Sequence, residues 1–367
     1  MMRIILITCC LAFHAALAEL PSESWKAINP KLDSLVDLEE ERDNLPRRKW
    51  FGRDQRSNKA DFEKLLNEAV IVLADSSAAR VREDIEALRN SNRNLRREIA
   101  DHRRNQLSAP EEAFFTTSKS GYEARIERAL GQIEANENQI ANLKIDFAAA
   151  MESYGLKMDP GQIDLLLNSV LGDDIVSSVA VYENVKLISI RLAELTQQSR
   201  EDLDISRRYY GMHVVLLKIL QSMQGEFIRK VDQVYLPRIN RIENEVESLQ
   251  RESRRMFSRA ENDSHRAHLK ANLDSQALTL RTAALYRTHL RDQRDKMERA
   301  MRQTARDVEV ASNTLRTVTA SGELVSMIRS TQNSFDALAS IQVPDLLVFE
   351  NIQMQEEFAS LTQRLNL

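Results

Sequence analysis

Residues 71–99, IVLADSSAARVREDIEALRNSNRNLRREI, decide the fold. From Ile71, seam positions fall alternately three and four apart at Ala74, Ala78, Val81, Ile85, Leu88, Asn92, Leu95 and Ile99, the a/d spacing of a helix that packs along one narrow stripe. A second stretch repeats the spacing at Tyr122, Ile126, Ala129, Ile133, Asn136, Ile140, Leu143, Phe147, Ala150 and Tyr154, with no charge on the seam. A stripe this narrow calls for one partner helix.

Pairing Asn92 with Asn136 puts a mirror point at Phe114. Leu95 then faces Ile133, Leu88 faces Ile140, Ile85 faces Leu143, Val81 faces Phe147 and Ala78 faces Ala150. Any two regular heptads can be laid antiparallel in some register, so the asparagine match carries the argument. A slip of one heptad would set each amide against Ile or Leu and strand buried donors and acceptors at roughly 1–3 kcal/mol each. Asn92 and Asn136 are therefore read as register-fixing. The expected unit is an antiparallel coiled-coil hairpin over 59–155 with its tip near 108–120. Pro110 stops the first helix, and Ser120 with Glu123 has the spacing of a capping box for the second. Phe114 and Phe115 lie at the tip, where they either plug the open end or touch a partner; they are the candidate contact residues.

Met1–Ala18 has a basic start at Arg3, an apolar core and the small-x-small end Ala16-Leu17-Ala18. This is the pattern of a secretory signal peptide cleaved after Ala18. A lipoprotein reading would use Cys9 or Cys10, but the apolar stretch before either is short. Both cysteines lie within this segment, so disulfides, thiol catalysis and cysteine metal sites are not expected of the mature chain. Localisation is read as periplasmic or secreted.

Charged residues make up 29% of the chain and aromatics 5%, with nine Gly and seven Pro, the profile of long helices. The net charge of −4 reflects basic and acidic residues alternating on exposed faces, which is not a nucleic-acid footprint. The cluster Arg93, Arg96, Arg97, Arg103 and Arg104 is interleaved with Glu98 and Asp101 and reads as a solvated face. No later stretch reaches the ~20 apolar residues of a membrane span, so a soluble protein is expected after signal cleavage.

The rest of the chain reads as further helices, making the fold class all-α: an elongated hairpin projecting from a multi-helix bundle. Residues 19–58, with Pro21, Pro30, Pro46 and Gly52, read as irregular, latched by Trp25, Trp50 and Phe51. Asp159-Pro160-Gly161-Gln162 starts a helix, opening an apolar bundle body over 156–236 with a break at Gly172-Asp173-Asp174, whose acids read as helix-start residues. Pro237 is expected to kink or interrupt a helix. Residues 237–322 read either as a second hairpin folded about Glu261–Ser264 or as one long helix. In the hairpin register Ile242 faces Arg287 and Ser253 faces Gln276, which look like mismatches. Residues 323–367 read as C-terminal helices, with Leu346, Leu347, Phe349, Ile352, Phe358, Leu361 and Leu365 forming a stripe that docks on the body.

Chemistry-bearing motifs are not found. His102, His213, His265, His268 and His289 form no H-E-x-x-H pattern, and His265 with His268 and Asp263 reads as a helix start rather than a metal site. No nucleophile elbow, P-loop or dinucleotide fingerprint is present. No catalytic, cofactor or metal residues are assigned, and an enzyme is not expected. By architecture alone, long extracytoplasmic hairpins resemble adaptors that bridge envelope complexes and coiled-coil regulators of cell-wall hydrolases. The reading is a non-catalytic scaffold or adaptor that positions protein partners of the cell envelope, with no nucleic acid bound. Alternatives are a hydrolase regulator, or a metal or small-ligand binder in the bundle body. A seam that closes within one chain can also close between two, so an oligomer stays open.

Overall fold

The structure is a computed structural model that describes residues 22–42, 44–111, 117–198, 203–321 and 352–365. The signal segment, Phe114 and Phe115, and the stretch holding Leu346, Leu347 and Phe349 lie outside the described residues. Every described element is helical: α1 Ser22–Arg42, α2 Gln55–Ala74, α3 Ser77–Gln106, α4 Lys119–Ser153, α5 Pro160–Leu167, α6 Gly172–Gln198, α7 Leu203–Lys230, a π-turn Val231–Tyr235, α8 Leu236–Arg259, α9 Asp263–Ser321 and α10 Ile352–Leu365.

Two apolar cores organise these helices. The first joins Ile28, Leu32, Leu35 and Val36 of α1 to Leu66, Ala69 and Leu73 of α2, the later half of α6, α7 from Tyr210 to Met223, and Ala311 of α9. Residues 19–58 thus depart from the irregular segment expected. Ile28, Leu32, Leu35 and Val36 recur on one helical face, and burying that face outweighs the roughly 3 kcal/mol cost of an interior proline at Pro30. Ion pairs add to the docking, with Lys218 2.6 Å from Glu39 and Arg208 2.8 Å from Asp33. Trp25 packs on this core, whereas Trp50 and Phe51 stand 94% and 82% exposed and latch nothing.

The second core gathers the roots of two helical pairs. It holds Ala78 and Ile85 of α3, Phe147 and Met151 of α4, α5, the start of α6, Phe227, Val231, Ile239 and Val246, Tyr286 and Leu290 of α9, and Phe358, Leu361 and Leu365 of α10. The first arm is shorter than the expected 59–155. Ile71 is exposed and Ala74 ends α2, because Asp75 breaks the helix and Ser76 caps the next by accepting from Ala79 N at 3.1 Å. Asn184 of α6 donates to Leu73 O at 2.7 Å, satisfying one of the carbonyls left at that helix end. The arm proper is α3 with α4, which pack on each other. Helices of 30 and 35 residues make it roughly 45–50 Å long. The cap of α4 is Ser118, which accepts from Gly121 N, and not Ser120; Glu123 accepts instead from Gln106 across the arm at 3.0 Å.

Just before Pro237 a π-turn interrupts the α-helix, but the helical run does not end, and the boundary placed before Pro237 falls inside a continuous run from α7 through the π-turn into α8. A proline lacks an N–H and crowds the carbonyl four residues back; the wider turn just before it, with Leu236 N donating to Val231 O, absorbs that crowding. The chain then reverses after Arg259, and α9, 59 residues or about 90 Å long, returns along both α8 and α7. The described part of this stretch, 237–321, is therefore a hairpin and not one helix, and the outer part of α8 with α9 forms a second arm.

Candidate interaction arms and their shared root

In the first arm the two asparagines meet. Asn136 Nδ2 donates to Asn92 Oδ1 at 2.7 Å, and the residues are 4% and 1% exposed. The remaining amide atoms are also used: Asn92 Nδ2 donates to Glu137 at 2.8 Å, and Gln132 donates to Asn136 Oδ1 at 2.9 Å. A buried polar layer filled in this way is stable only in the register that makes it. Other cross-arm contacts straddle the same point of the chain, with the His102 and Tyr122 rings 5.8 Å apart and Arg96 3.3 Å from Glu137. Of the arginine cluster, Arg104 pairs with Asp101 at 2.8 Å, and Arg93 bonds Asn90.

The second arm holds its own polar layer, formed by one of the apparent mismatches. Gln276 Nε2 donates to Ser253 Oγ at 3.0 Å. Arg287 reaches Glu243 as an ion pair, and Ile242 is buried. Ile239, Val246, Ala283 and Leu290 fill the seam nearer the root.

The root itself was not legible as a site. Helix α5 ends at Leu167 and meets α6 at 110°, which leaves carbonyls pointing past a helix end that need donors. Arg82 of α3 supplies Leu166 O at 3.1 Å and Arg89 supplies Leu167 O at 2.9 Å. Thr362 of α10 supplies Asn168 O. Gly172 is required here, since a Cβ would collide with the Arg82 guanidinium and Leu166 O. The paired acids expected as helix-start residues are engaged by cations: Asp173 by Arg82, and Asp174 by Lys230 at 2.6 Å, with the Tyr235 hydroxyl donating to Asp174 at 3.1 Å.

Helix α10 closes the root from the other side. Phe358 stacks on Tyr286 with centroids 4.0 Å apart and planes 10° from parallel. Val170 N donates to the Tyr286 hydroxyl at 2.8 Å, and that hydroxyl lies 2.9 Å from Thr362 Oγ1. With the tyrosine proton given to Thr362 and the threonine proton given to Asn168 O, each group in this chain is used once. Burial pushes the Tyr286 hydroxyl up to about 12. Arg364 pairs with Glu245 at 2.9 Å, and Arg238 donates to Leu365 O. The docking expected of the C-terminal stripe is thus seen for Phe358, Leu361 and Leu365, all fully buried.

The histidines divide by depth. Burial holds His213 of α7 down to about 3 and His289 of α9 down to about 4, so both are neutral in the folded protein at ordinary pH. His265 sits at the start of α9, where its N–H donates to Asn262 Oδ1 at 2.8 Å. No group of three His, Cys, Asp or Glu side chains converges as a metal cluster among the described residues. No single described helix is long and apolar enough to cross a membrane; the bent pair Pro160–Leu167 with Gly172–Leu195 passes on length and composition, and its apolar residues fill the two cores. No protein-family model, curated protein or solved structure matches the chain.

Proposed function

We propose that the chain is a secreted or periplasmic, non-catalytic helical adaptor that positions protein partners of the cell envelope through its first arm. The Asn92–Asn136 layer supports this reading most, because a two-helix arm held in one register at its middle, and braced at its root by Arg82 and Arg89, delivers its tip to a fixed place. Preorganisation of that kind lowers the entropic cost of binding. The mechanism is placement: the body holds one partner while Phe114 and Phe115 touch another. Replacing both phenylalanines by serine in the full chain is expected to abolish capture of envelope proteins in pull-downs while leaving helicity unchanged. Capture that survives the replacement would remove the tip from the mechanism.

A second reading, a regulator that restrains a cell-wall hydrolase, draws support from α10, which bridges the corner after α5 and the root of the second arm. Deleting 346–367 is expected to change hydrolase activity in a reconstituted assay only under this reading.

A further inference from the structure

The tip of the second arm combines cations that lack ion-pair partners with exposed apolar side chains. Several arginines elsewhere stand opposite carboxylates, such as Arg96 with Glu137, Arg104 with Asp101, Arg229 with Glu226 and Arg302 with Glu298. From Arg251 to Lys270 the chain carries six cations, Arg251, Arg254, Arg255, Arg259, Arg266 and Lys270, against the three carboxylates Glu252, Glu261 and Asp263. Arg255, Arg259 and Lys270 have no ion-pair partner among the described residues. Arg254 and Arg266 bond only neutral oxygens, Gln250 Oε1 and Ala260 O. Within this basic end two apolar side chains stand in solvent, Met256 at 53% and Phe257 at 37% exposure, with Leu249 one heptad behind at 46%. Met256, Phe257 and Arg259 lie next to the turn between α8 and α9, roughly 25–30 Å beyond the root at Ile239.

A solvated helix end has no use for bare Met and Phe among unneutralised cations, and a surface that only reads phosphates needs the cations alone. Cations that meet headgroup phosphates, beside apolar groups that enter the acyl boundary, are the pair of features by which a peripheral segment holds an anionic bilayer. We propose that the tip of the second arm docks on an anionic lipid surface, with Arg255, Arg259 and Lys270 against headgroups and Met256 and Phe257 inserted between them. The inference goes beyond the adaptor reading and does not rest on it: it concerns a different arm, and it gives that arm a surface to stand on.

The test is co-sedimentation of the full-length mature chain with vesicles of phosphatidylcholine containing one third phosphatidylglycerol, against vesicles of phosphatidylcholine alone, at physiological salt. Binding is expected to be at least about tenfold stronger to the anionic vesicles. Arg255→Glu with Arg259→Glu is expected to remove that preference. Met256→Ser with Phe257→Ser is expected to weaken anionic binding about tenfold while keeping the preference. Arg103→Glu with Arg104→Glu on the first arm is the control and is expected to change neither. All four positions of the tip variants are exposed, and unchanged circular dichroism verifies the fold. Equal binding to both vesicle types, no binding to either, or a control variant as weak as the charge reversal overturns the proposal. So does anionic binding that survives the serine pair at full strength, since that would mark a purely electrostatic surface suited to nucleic acid or an acidic protein.

Discussion

The two arms use one design with different locks. In the first, a layer of two asparagines joined at 2.7 Å and completed by Glu137 and Gln132 sits in an otherwise apolar seam. In the second, Ser253 and Gln276 make a single bond at 3.0 Å near an open tip, and Arg287 with Glu243 makes an ion pair closer in. The first lock is selective because a slipped register would bury unpaired amides; the second is weaker, because one neutral bond between the buried Ser253 and the part-buried Gln276 contributes only about 1 kcal/mol. Polar residues facing each other across a mirrored pair thus mark the register in both arms, and Ser253 with Gln276, an apparent flaw of the second seam, is part of its pairing.

Both arms share one root, so the largest effect is expected there. Phe358→Ala removes a fully buried ring stacked on Tyr286 and is expected to cost about 3–5 kcal/mol in urea unfolding. Hydrogen exchange should show α10 released and the root of the second arm loosened before the outer first arm. Equal loss of protection along both arms would break the comparison.

Acid should separate the regions next. His213 and His289 are held down to about 3 and about 4 by burial, and lie in the body and at the root of the second arm. The unfolded chain takes up a proton at each near pH 6.5, while the folded chain resists until those lower values. Their contribution is therefore complete above pH 6.5 and is lost as pH falls toward 4 and 3. The loss is roughly 2 kcal/mol for each between pH 6.5 and 5. Stability measured against pH in His213→Gln should show a shallower acid slope than the wild type; an unchanged slope would mean that His213 does not carry it.

The locks themselves give the smallest effects. Asn136→Leu strands Asn92 Oδ1 in a buried seam and is expected to cost about 1–3 kcal/mol, whereas Gln276→Leu should cost about 1 kcal/mol or less. Reversed magnitudes in thermal or urea melts would mean that the second arm, not the first, is the specified one.

Much of this architecture could be read from residue spacing. The first arm was legible because its seam runs unbroken for many turns and holds one matched polar pair, and the stripe Phe358, Leu361, Leu365 announced a docked helix. Helix α1 was not, since Pro30 and neighbouring prolines read as irregular chain while burial of Ile28, Leu32, Leu35 and Val36 decided otherwise. Pro237 announced an interruption but not its form, since a π-turn that keeps the helical run going is a local adjustment with no sequence mark of its own. The root was hidden most deeply. Arg82 and Arg89 look like solvated arginines until the chain brings Leu166 and Leu167 carbonyls to them from about eighty residues away, and Thr362 meets Asn168 across a still longer gap. Contacts of that separation leave no periodic trace. Phe114 and Phe115, proposed as a partner contact, lie outside the described residues.

The central claim is that the asparagine layer holds the first arm in a single register so that its tip is delivered to one place. Spin labels on exposed positions flanking Asn92 on α3 and Asn136 on α4, read by double electron–electron resonance in the full-length protein, test it directly. A single narrow distance is expected in the wild type. In Asn136→Leu that distance is expected to broaden or shift by a heptad, or the chain to self-associate through the freed seam. An Asn136→Leu protein that keeps the wild-type oligomeric state and the wild-type distance distribution would contradict the claim.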